Sequence, residues 1–124
     1  MSAWMEVTCL RVPLEALGFA GDLWEFCDEH EEEPAFDRGE APDWKYPFLE
    51  PAPTLREFLD LVLSENVTEK RGGFGRTRAL TEREKKKYIP VFLKYFPDMD
   101  TGKLRYVHYA WYDGCEAPDY YEEE

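Results

Sequence analysis

The sequence predicts an α+β fold: a small antiparallel or mixed sheet, with strands near both termini, packed against two to four helices. Three observations carry that expectation. Residues Trp4 to Val12 alternate with period two, Leu104 to Tyr112 form a run apolar on both faces, and capping signatures with helical spacing fall between them. The 124 residues fit one domain spanning 1–124. Leu, Ile, Val and Phe together number only 27, close to the level at which a highly charged chain stays unfolded. The 20 aromatic residues supply the missing burial, because each ring buries a large area.

Met5, Val7 and Cys9 alternate along the first strand, which Pro13 ends. Asp22-Leu23-Trp24-Glu25 has the form of a capped helix start, and Leu23, Phe26, Cys27 and His30 share one face of a helix over 23–31. From 31 to 53 the prolines at 34, 42, 47, 51 and 53 exclude a helix. This Pro-rich acidic segment is therefore extended or looped, with Trp44, Tyr46, Phe48 and Leu49 available to lie across the core. Thr54-Leu55-Arg56-Glu57 reads as a second capping box. Leu55, Phe58, Leu59, Val62 and Leu63 follow it at helical spacing and predict a helix over 55–65 that Asn66 ends. The segment 66–80 holds three glycines and four bases, which predicts a mobile Gly/Arg loop. Thr81-Glu82-Arg83-Glu84 opens a helix carrying Tyr88, Phe92 and Phe96 four residues apart, with a kink or break expected at Pro90. After the final strand, Asp113-Gly114 turns the chain into an aromatic, acidic tail.

Fifteen Lys and Arg against 27 Asp and Glu give a net charge of −12, which repels duplex nucleic acid and anionic lipid unless a local patch reverses the sign. The charge is uneven. Residues 22–43 contain ten acids and one base, whereas 70–87 contain eight bases and two acids. The opening residues lack the basic and apolar regions of a secretory leader, and no run is long and apolar enough to span a bilayer. Three cysteines without a C-x-x-C pair suggest reduced thiols and a cytoplasmic location.

The acidic run Asp28, Glu29, Glu31, Glu32 and Glu33 continues through Asp37, Glu40 and Asp43 into Trp44 and Tyr46. Carboxylates interleaved with aromatic rings suit a partner-binding surface, in which charge steers and rings anchor. The plain alternative is a solvated helix end. Arg71, Arg76, Arg78, Lys85, Lys86 and Lys87 form the competing site, where glycines allow close approach and arginines can fork to phosphate. They lack the G-x-x-x-x-G-K-[ST] spacing of a phosphate loop. Cys27 and His30, with Cys9, Cys115 and His108, offer only one short-spaced ligand pair, so neither a metal nor a cofactor is expected. A catalytic Cys115 and His108 pair lacks an accompanying motif. The expected function is a non-enzymatic cytoplasmic protein that blocks a basic site on another macromolecule, in the manner of an inhibitor, immunity protein or nucleic-acid mimic. Its expected partner is a protein with a basic surface, such as a nucleic-acid-binding protein, rather than a membrane or nucleic acid itself. The alternative is a nucleic-acid or phosphate-binding accessory protein acting through 70–87.

Overall fold

The computed structural model describes residues 3–30 and 46–122. Its elements run β1 (Trp4–Pro13), α1 (Leu23–Glu29), β2 (Phe48–Pro51), β3 (Phe58–Val67), β4 (Phe74–Arg78), α2 (Glu82–Tyr95) and β5 (Arg105–Tyr112). The five strands make one antiparallel sheet in the order β2-β3-β1-β5-β4. β1 and β2 are connected through α1 and have β3 between them, while β3 and β5 are connected through α2 and have β1 between them. Two split β-α-β units thus interleave, and β4 is added outside β5.

The fold is α+β, with the sheet antiparallel. Two α-helices stand among the described residues, and the helix expected over 55–65 is instead the strand β3. The reason lies in double-sided burial. Leu59 and Leu61 face the helices while Phe58, Asp60 and Val62 face the other way, and all five are buried. A strand covered on both sides reads as a continuous apolar run, and such a run also satisfies helical spacing. Thr54, read as a helix cap, donates its hydroxyl to the carbonyl of Arg56 at 2.6 Å. The segment 66–80, expected to be a loop, contains β4.

Both true helix starts follow their sequence signatures. Asp22 accepts from the backbone N–H of Glu25 at 3.1 Å. Thr81 and Glu84 close a reciprocal capping box, with bonds of 3.2 and 2.8 Å. α2 continues as one element through Pro90, which faces solvent.

On the helix side, Leu10, Val12, Leu59 and Leu61 pack with Leu23, Cys27, Val91, Phe92 and Phe96. On the opposite side, Val7, Cys9, Val62, Val107 and Tyr109 are covered by Tyr46, Phe48, Ala117 and Tyr120. That cover makes room for one buried ion pair. Arg11 on β1 and Asp60 on β3 stand directly opposite each other at 0 and 1% exposure, joined at 2.8 Å (Nε to Oδ1) and 2.9 Å (Nη2 to Oδ2). The guanidinium lies 5.3 and 5.2 Å from the ring centres of Phe58 and Tyr109, and its Nη1 donates to the carbonyl of Asp119 in the tail. Burial opposes the charge on Arg11, but the carboxylate beside it outweighs burial and holds its pKa above the ordinary value. The pair is a structural bolt under the C-terminal tail.

Candidate functional site

A groove of about 590 Å³ passes the outer edge of β2. Phe48 and Glu50 enter it from one face of that strand and Leu49 from the other, so it wraps the edge rather than lying on one side of the sheet. The described residues lining it include four carboxylates, Asp28, Glu50, Glu65 and Asp113, and no Lys or Arg. Between them stand Met5, Trp24, Phe48, Tyr109 and Trp111.

Each wall has a local cause. α1 ends at Glu29, and Asp28 and Glu29 occupy its last turn, where the helix already carries partial negative charge. The turn itself contains no basic residue, so the helix end and its side chains add to one negative field. Leu23 and Cys27 fix the buried face of α1, which leaves Trp24 on the outside at 64% exposure. Asp113 is held at the end of β5 by two bonds with Ala3: its Oδ1 accepts from the Ala3 N–H at 2.6 Å, and its own N–H donates to the Ala3 carbonyl at 3.0 Å. Tyr46 lies 5.4 Å from the ring of Phe48 and donates its hydroxyl to the Glu65 carbonyl at 3.4 Å.

One thiol, Cys27, lines the groove. Burial pushes the Cys27 pKa up to about 12, and the carboxylates of Glu50 and Asp28 push in the same direction. Such a thiol is an apolar wall, not a nucleophile. Cys9 is buried and is also pushed up, by burial first and then by Asp60, whereas Cys115 is exposed. His30 stacks between Phe26 and Tyr95, with ring centres at 4.5 and 5.6 Å. His108 lies apart from it, 2.9 Å from Glu6 and beside Phe74. Among the described residues no three His, Cys, Asp or Glu side chains form a metal-binding group.

Of the acidic surface read from the sequence, Asp28 lines the groove, Glu29 is exposed beside it, and Tyr46 packs against the sheet. Glu31, Glu32, Glu33, Asp37, Glu40, Asp43 and Trp44 lie outside the described residues. Sequence reasoning missed Glu50, Glu65, Asp113, Trp24 and Trp111, which only the sheet brings together. Trp24 alone had a readable signal, since it stands off the apolar stripe of α1.

The basic segment is distributed otherwise. Arg78 forks onto Glu84 at 2.7 and 2.9 Å and lies 3.8 Å above the Tyr106 ring centre. Lys85 pairs with Glu82 at 3.1 Å. Arg71 precedes β4, Arg76 projects from it, and Lys86 and Lys87 are exposed on α2. The six bases therefore sit on a loop, an edge strand and a helix, with two of them engaged by carboxylates. No helix among the described residues is long and apolar enough to cross a membrane. Comparison with protein-family models, curated proteins and solved structures finds no match.

Proposed function

We propose that the protein is a non-enzymatic binding protein that engages a basic site on another macromolecule through the groove at the β2 edge. The observation carrying this reading is the joint lining of one cavity by carboxylates and aromatic rings. Carboxylates attract and orient a Lys or Arg side chain, and rings beside them receive its aliphatic stem or its charged head. Occlusion of such a site is the action of an inhibitor, an immunity protein or a nucleic-acid mimic, and reduced cysteines suit a cytoplasmic setting. The alternative, nucleic-acid or phosphate binding through 70–87, is the weaker reading because Arg78 and Lys85 already face carboxylates.

Titration of the labelled protein with the tripeptide Lys-Leu-Lys, blocked at both ends, tests the proposal by NMR. At low salt, amide shifts should concentrate at Asp28, Glu50, Glu65 and Trp111 and should fade as salt rises. Absence of shifts in the groove would overturn the reading. Retarded migration of single-stranded nucleic acid, abolished by Lys86→Glu and Lys87→Glu, would put the alternative in its place.

A further inference from the structure

The groove does not stop at β2. Trp24 and Pro51 also line a second cavity, of about 360 Å³, whose other walls include Leu14, Asp22 and Glu57. Leu14 and Glu57 in turn line a third, of about 560 Å³, together with Glu15, Phe19 and Arg56. Shared walls make the three cavities successive stretches of one track. It leads from the tail side of the sheet past Trp24 to the turn after β1.

The chemistry is the same along its length. Asp22, Glu15 and Glu57 add three carboxylates to those of the first stretch, and Arg56, the single base among the described lining residues, is bonded to Glu15 at 3.2 Å. Trp24 stands where two stretches meet, and Leu55, at 80% exposure, adjoins the far end between Thr54 and Arg56. Exposed large apolar side chains beside a groove mark a surface that gains by being covered. An extended chain can pass over the exposed indole of Trp24 and drop successive side chains into the separate cavities.

We infer that the occupant is an extended segment of a partner protein, with basic side chains on either side of an apolar one that covers Trp24. This rests on the binding role proposed above and adds to it the shape and pattern of the ligand. The charge of the track excludes an acidic segment. Its division into three suits several side chains in sequence rather than one.

Fluorescence anisotropy at low salt with two labelled probes separates the two claims. One is the tripeptide Lys-Leu-Lys, and the other is a nine-residue peptide with Lys and Leu set among serines. The longer peptide should bind about tenfold more tightly, because its second contact is made at the high effective concentration of a tethered group. Glu57→Lys, a change at an exposed position in the second and third stretches, should remove that gain and weaken the tripeptide less, and Trp24→Ala should weaken both probes. If both probes bind equally well, or Glu57→Lys leaves the longer one untouched, the extended-segment inference falls while the binding role stands. If neither probe binds, the binding role itself falls.

Discussion

The two edges of the sheet hold opposite charges and treat them differently. At the β4 edge a cation is met at close range: Arg78 grips Glu84 with two hydrogen bonds and lies over the Tyr106 ring, so its charge is satisfied within the chain. At the β2 edge, carboxylates from α1, β2, β3 and the end of β5 converge on one cavity among aromatic rings. Charge clustered in sequence is therefore a poor guide to charge available in space. Two members of the compact basic run, Arg78 and Lys85, are engaged by carboxylates close in sequence, whereas acids as distant as Asp28 and Asp113 line one cavity. Between the edges, Arg11 and Asp60 cancel each other within the sheet.

The largest effect comes from breaking that centre. Asp60 stands between Arg11 on one side and Glu50 on the other, in direct register with both. Arg11→Met should leave a buried carboxylate beside a second one, and loss of one partner of a buried pair costs roughly 3 to 5 kcal/mol. Denaturant unfolding at neutral pH measures it. Replacing both partners, Arg11→Met with Asp60→Leu, should cost much less than Arg11→Met alone, because no charge is then left uncompensated. Equal losses would mean that the pair acts through packing against Phe58 and Tyr109 rather than through charge.

A smaller effect sharpens the contrast at the β4 edge. A Cβ on Gly75 would lie 1.9 Å from Cδ1 of Tyr120, whose ring packs 5.6 Å from Tyr109 under the tail. Gly75→Ala should therefore displace the tail from this edge and cost about 1 to 3 kcal/mol, the range of an overpacked site. If the clash is the cause, Gly75→Ala should cost little when Tyr120→Ala is already present. A full additional cost in that background would point to the strand backbone instead.

These elements also show what the sequence could disclose. The first and last strands were legible because their alternation or aromatic density has no helical counterpart, and both helix starts because their caps are local. β3 was not, because Asp60 made a two-faced strand look like an amphipathic helix, and its partner Arg11 lies 49 positions away. The glycines of 66–80 suggested freedom, yet Gly75 serves close approach beneath a ring from the tail. Asp28, which lines the groove, was legible through its acidic surroundings. Glu50, Glu65 and Asp113 were not, since nothing local distinguishes them and only strand register places them together.

The smallest effect tests whether the β4 edge is as self-satisfied as its geometry indicates. Hydrogen bonds from Arg78 bring the Glu84 carboxyl down to about 2 from an ordinary 4.5, against the opposing effect of burial and with help from Thr81. A carboxyl lowered in this way stabilises the fold fully above its unfolded value, and that contribution disappears as pH falls from about 4.5 towards 2. Arg78→Ala should remove no more than about 1 kcal/mol at neutral pH, because Arg78 is largely in contact with water and screened. The difference between wild type and variant should then narrow across that acid range, as followed by thermal unfolding at a series of pH values. A gap that stays constant to pH 2 would show that Arg78 acts through its stacking on Tyr106 and not through Glu84. Its cation would then not be neutralised by the chain, and the β4 edge would regain a claim to bind phosphate.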